Sequence, residues 1–129
     1  MAGAAAPTRK AWLALAAAGL AMFLVGMDGS IVNVAFPSLR EDFDGVSNAQ
    51  LSWVLNAYVL VYAALLVVSG RLADRVGRLR VMSIGLTVFV LASIGVAVSP
   101  SALFLVGMRG FQGVGAALIT PASMGLVIA

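Results

Sequence analysis

The sequence predicts an all-α membrane protein with four transmembrane helices. Three observations carry this reading. The 129 residues are 62% hydrophobic and only 10% charged, whereas a soluble domain is about half apolar and a quarter charged. Four long apolar runs are separated by short polar connections. The charges collect in those connections, and they alternate in sign from one to the next. A chain this short cannot bury so much apolar surface in a core of its own, so lipid must solvate much of it.

The first apolar run begins after Thr8-Arg9-Lys10, with residues 1–10 as a cytoplasmic N-terminus. It extends over about 11–36, meeting Asp28 on the way and ending at Pro37. The second covers 51–69 and the third 81–98, closed by Ser99-Pro100-Ser101. The fourth covers 102–129, with Arg109 as its one charged residue. At 1.5 Å rise per residue, about 20 residues cross a bilayer core of roughly 30 Å. A cleaved signal peptide over Met1 to Gly26 fits the Arg9-Lys10 flank. It is disfavoured because the apolar pattern runs on past Asp28.

The connections set orientation. The first holds Arg40, Glu41, Asp42 and Asp44, for a net −2; the second holds Arg71, Arg75, Arg78 and Arg80 against Asp74, for a net +3; the third holds none. The positive-inside rule then puts the N-terminus and the second connection in the cytoplasm, and the first and third connections outside. The overall net charge of +3 reads as orientation rather than nucleic-acid binding, because the cations sit beside apolar runs. There is no cysteine and no histidine. Disulfides, thiolate sites and imidazole chemistry are excluded, and no metal site, cofactor or soluble enzyme is expected.

Two ionisable residues lie inside apolar segments. Asp28 falls roughly 25 Å up from Ala11, and Arg109 about 10 Å below the outer start of the fourth segment. Both are then in the outer half at nearly one depth. Intramembrane acids and bases face a bundle interior or wet cavity and often pair. The plainer alternative places Asp28 in a solvated first loop, but Ile31 to Phe36 would make a strange exposed loop. In the fourth segment Arg109, Gln112, Gly113 and Ala116 share one helical face, and Gly113 and Gly115 suit close backbone approach. Gly113 and Gly115 do not form a dinucleotide fingerprint, since no strand precedes them. In the second connection Gly70, Asp74 and Gly77 fall at i, i+4 and i+7, which, if helical, makes a smooth face with one carboxylate. Its alternative role is topology alone. Trp53, Tyr58 and Tyr62 are either interfacial anchors or pocket lining, and spacing does not decide which.

Three stretches together resemble the major facilitator superfamily, and within it the 14-helix drug:proton antiporter branch. Gly70-Arg-Leu-Ala-Asp-Arg-Val-Gly-Arg78 is similar to the signature between helices two and three. Leu105-Val-Gly-Met-Arg-Gly-Phe-Gln-Gly-Val-Gly-Ala-Ala117 is similar to the helix-four motif. Met27-Asp-Gly-Ser-Ile-Val-Asn-Val-Ala-Phe-Pro37 is similar to the helix-one motif of that branch. Ser30 stands in place of the usual threonine, and Leu79 in place of a second cation, with Arg80 one position later. The helix-five antiporter motif would fall beyond residue 129.

The resemblance implies that the four segments are the first part of an N-terminal six-helix half. It implies secondary active, proton-coupled efflux of drugs or other amphipathic small molecules. Asp28 and Arg109 become a proton-coupling pair. Gly70, Asp74, Arg75, Gly77 and Arg78 become a cytoplasmic gate. Asn33, Tyr58, Gln112, Gly113 and Gly115 become cavity or helix-packing residues. The partners it implies are membrane lipid, a small-molecule substrate, protons and further C-terminal helices of the same transporter, with no nucleic acid. Met124-Gly-Leu-Val-Ile-Ala129 stops inside an apolar run, so the chain is expected to be the N-terminal portion of a longer protein. The rivals are a complete four-helix small multidrug exporter and a non-transporting membrane scaffold.

Overall fold

The computed structural model describes residues 6–128 and contains four α-helices joined by short turns. They are α1 (Arg9–Asp42), α2 (Asn48–Val76), α3 (Arg78–Ala97) and α4 (Ala102–Ile128). No strand occurs among the described residues. All four helices are long and apolar enough to cross a membrane. Residues 1–5 of the expected N-terminal segment, and Ala129 at the expected end of the fourth, lie outside the described residues.

Hydroxyl side chains start three of the helices. Thr8 Oγ1 accepts the amide N–H of Ala11, and Ser101 Oγ accepts that of Phe104. Ser47 and Gln50 form a reciprocal capping box at α2, with bonds of 3.2 and 3.3 Å. Each satisfies amide groups that the first helical turn leaves unpaired.

The starts of α1, α2 and α3 lie two or three residues earlier than the sequence-based expectation and α3 ends one residue earlier, while two boundaries differ by more. First, α1 runs through Pro37 to Asp42 instead of stopping at residue 36. Proline inside a helix costs about 3 kcal/mol, yet the helix continues for five residues beyond it to Asp42, and the Phe43 amide still donates to the Leu39 carbonyl oxygen at its end. Second, the expected connection 70–80 is helical through Val76. Arg71, Leu72, Ala73 and Arg75 are good helix formers. The break is confined to Gly77, whose φ of +114° only glycine adopts without strain.

The helices alternate in direction. At one end of the bundle the close of α1 (Leu39 to Phe43) meets the close of α3 (Val96, Ala97). There too the start of α2 (Gln50, Trp53) meets the start of α4 (Ala102, Val106). At the other end Ala18 and Met22 of α1 meet Ser123 and Val127 of α4. The α4 helix is the axis of the bundle and packs mainly on α2 and α3, with α1 laid against it more lightly. Its buried residues include Leu105, Arg109, Gln112, Gly115, Ala116, Ile119 and Ser123, whereas α1 buries only Ala18 and Ala21.

Candidate functional site

A polar cluster sits inside this apolar bundle and draws one residue or more from every helix. Its centre is Arg109, with only 2% of its surface exposed. A buried guanidinium is tolerated only if its donors are paired, and three partners surround this one. Nη1 donates to Asp28 Oδ2 of α1 at 2.6 Å and to Gln112 Oε1 at 2.6 Å. Nε donates to the backbone carbonyl oxygen of Val54 in α2 at 3.2 Å. The guanidinium also lies 4.5 Å from the ring centroid of Tyr58, a cation–π contact that strengthens where water is excluded.

Gln112 stands three residues further along the same face of α4 and is 1% exposed. Its Nε2 donates to Asp28 Oδ1 at 3.3 Å and to Ser93 Oγ of α3 at 2.7 Å. Asp28 therefore receives donors on both carboxylate oxygens. Its side chain keeps 17% exposure, against 2% for Arg109, so the pair is open on the α1 side only. The acceptors of this network are all engaged: both Asp28 carboxylate oxygens, Gln112 Oε1 and Ser93 Oγ each receive a donor.

Below this level the α2 tyrosines continue the polar path. The rings of Tyr58 and Tyr62 stack with centroids 6.1 Å apart. Tyr62 Oη is 3.3 Å from Thr120 Oγ1, and Thr120 donates back to the Ala116 carbonyl oxygen at 2.9 Å. Of the three aromatics whose spacing leaves their role open, Tyr58 is buried at the site, Tyr62 packs below it, and Trp53 is half exposed near the helix start.

The glycines explain how α4 comes close enough. A Cβ on Gly113 would stand 2.7 Å from the Tyr58 carbonyl oxygen, and one on Gly115 would stand 2.7 Å from the Phe89 amide nitrogen. Gly113 thus seats α2 and Gly115 seats α3. Asn33 does not join the cluster. It is exposed on α1, and its Nδ2 donates to the Gly29 carbonyl oxygen of its own helix at 2.9 Å.

The residues of the Gly70–Arg78 motif gather at the opposite end. Arg78 forms an ion pair with Asp74 at 3.4 Å and also donates to the carbonyl oxygen of Gly125 in α4. Asp74 and Arg75 are exposed, and Gly70 lies against Pro121 of α4. Two members of the polar cluster are not marked by the sequence: the backbone carbonyl of Val54 and the side chain of Ser93. Serines and threonines in apolar helices ordinarily bond back to their own turn, so nothing in its context marks it. Among the described residues no group of acidic side chains is placed to hold a metal ion.

Residues 18–129 match the family model described as Major Facilitator Superfamily. The chain is 41% identical over 123 residues to a puromycin resistance protein of Streptomyces alboniger, covering 94% of this chain and 24% of that protein. It is 42% identical over 121 residues to the multidrug efflux pump LfrA of Mycolicibacterium smegmatis, covering 94% and 24%. It is 46% identical over 121 residues to the cephamycin export protein CmcT of Amycolatopsis lactamdurans, covering 92% and 24%. The chain thus spans about a quarter of the length of these curated relatives.

Proposed function

The chain belongs to the Major Facilitator Superfamily, in the 14-helix drug-efflux branch that its motifs resemble, and from that premise we propose that it supplies the first four helices of a proton-coupled exporter. Its cargo is a drug or another amphipathic small molecule, and its activity is transport rather than enzymatic turnover. Relatives named for puromycin resistance, cephamycin export and multidrug efflux support this reading. Their greater length supports further helices of the same transporter as the chain's principal protein partner. The protein resides in the cell membrane with its N-terminus and the Gly70–Arg78 motif in the cytoplasm.

The observation that carries the proposal is the buried Arg109–Asp28 pair, closed at 2.6 Å between two helices that span the membrane. Acids and bases that pair inside a membrane bundle are a recurrent feature of proton relays. Opening and closing the pair couples helix movement to uptake and release of a proton. Alternating access in secondary transporters works by rocking helices about a midplane site, and α1 is the lightly packed member here. Asp74 and Arg78 form the gate at the cytoplasmic end.

The test is export of a fluorescent cationic dye driven by an imposed pH gradient. Asp28→Asn is expected to abolish gradient-driven export while leaving membrane insertion intact. Wild-type export by that variant would remove Asp28 from the coupling mechanism.

A further inference from the structure

Ser93 lies outside every sequence motif and outside the coupling pair. Ser83, Thr87 and Ser99, the other hydroxyls along α3 and just after it, donate back to the carbonyl oxygens of Leu79, Ser83 and Gly95. Ser93 likewise donates to Phe89, at 2.8 Å. That commits its single proton, so toward any other group it can only accept. What it accepts is Nε2 of Gln112, at 2.7 Å.

The consequence concerns the direction of the Gln112 amide. An amide has a donor end and an acceptor end, and turning it over exchanges them. With Nε2 held at Ser93, Oε1 faces Arg109, where it accepts at 2.6 Å, and Nε2 also reaches Asp28 Oδ1 at 3.3 Å. Turned over, the NH₂ would face the guanidinium donors, and the carbonyl oxygen would face both a carboxylate and a hydroxyl whose proton is committed elsewhere. The Arg109 and Asp28 contacts depend on the coupling pair being closed and charged. The Ser93 contact does not, because a serine hydroxyl keeps its state through the cycle. Among the described residues the titratable or charged groups facing Asp28 are Arg109 from α4 and Tyr58 from α2. The α3 helix offers the uncharged Ser93 through Gln112.

We infer that Ser93 is a positioning residue: it anchors the Gln112 amide to α3 with its donor end toward Asp28 and its acceptor end toward Arg109, so that the pair re-forms in one geometry after each opening. This rests on Asp28 and Arg109 being the coupling pair, but its direct claim is the orientation of Gln112.

The test uses the protein made from its complete coding sequence, reconstituted in lipid and labelled with ¹⁵N-glutamine. Loss of one side-chain signal in Gln112→Ala assigns Gln112. Ser93→Ala is expected to move that signal and hasten its exchange with water, and Ser93→Thr, which keeps the hydroxyl, is expected to restore both. In gradient-driven dye export, loss of one such hydrogen bond should lower the rate about fivefold in Ser93→Ala, with Ser93→Thr recovering to within about twofold. Added to Gln112→Ala, the Ser93→Ala change should have no further effect, since the two act as one unit. An unmoved Gln112 signal in Ser93→Ala overturns the inference. So does a full further loss on the Gln112→Ala background, which would mark Ser93 as packing only. Normal export by Asp28→Asn would defeat the coupling reading alone, and the Gln112 signal would still decide for or against Ser93.

Discussion

Gly113 and Gly115 sit two positions apart on α4 and serve different neighbours. Two helical residues apart is about 200° of rotation, so one faces α2 and the other α3. Any side chain at either place meets backbone rather than a movable side-chain tip. Overpacking of this kind costs about 1–3 kcal/mol, and here the whole helix must move away to relieve it. Gly113→Val should therefore lower the unfolding temperature in detergent and loosen the Arg109 cluster, since Tyr58 belongs to both contacts. Gly107→Val, at a glycine with nothing within 4 Å of the added carbon, should leave stability close to the parent's, which makes it the matched control. The sequence marked these glycines as small residues suited to close packing, but not which helix each one meets. Depth counting put Asp28 and Arg109 at one level, and the structure joins them. The Val54 carbonyl and Ser93 are not legible in the sequence, because a backbone acceptor and a self-bonded serine leave no pattern there.

At the level of elements, the four helices were legible because apolar length is a strong signal where lipid is the solvent. Their ends were less so. Pro37 and the charged run from Arg71 to Val76 both read locally as stops, yet the helices continue through them. Pro37 is carried within α1, and good helix formers from Arg71 to Arg75 extend α2 to the break at Gly77. The short break at Gly77 brings Arg78 under α4 to the Gly125 carbonyl oxygen, while Asp74 remains 69% exposed. An exposed ion pair of this kind contributes no more than about 1 kcal/mol. Asp74→Asn should therefore leave insertion and thermal stability nearly unchanged. If the motif is a gate, export should nonetheless fall by about tenfold, the scale of a typical coupling free energy between conformations. Export at the parent's rate would reduce the motif to a topology signal. Gly77→Ala tests the break itself. Its positive φ is strained for any residue with a Cβ, so the variant should lose the Arg78–Gly125 contact and destabilise the junction by about 1 kcal/mol.

For the whole molecule, alternating helix directions sort the charges by end. Arg9 and Lys10 at the start of α1 share one end with Arg71, Arg75, Arg78 and Arg80 at the junction of α2 and α3. Arg40, Glu41, Asp42 and Asp44 gather at the other, around the close of α1. One end of the bundle is thus strongly basic and the other acidic on balance. Cations flanking short connections are retained in the cytoplasm, and acidic residues contribute little to the choice. The basic end should face the cytoplasm and the Asp28–Arg109 cluster should lie nearer the outer surface. These 129 residues contain no cysteine, so single introduced cysteines report without background from this region. Asn48 and Arg75 are both exposed and lie at opposite ends. In intact cells a membrane-impermeant thiol reagent should label Asn48→Cys and spare Arg75→Cys, and permeabilising the cells should make Arg75→Cys reactive. Labelling of Arg75→Cys in intact cells, with Asn48→Cys protected, would invert the bundle, place the Gly70–Arg78 motif outside, and end its interpretation as a cytoplasmic gate.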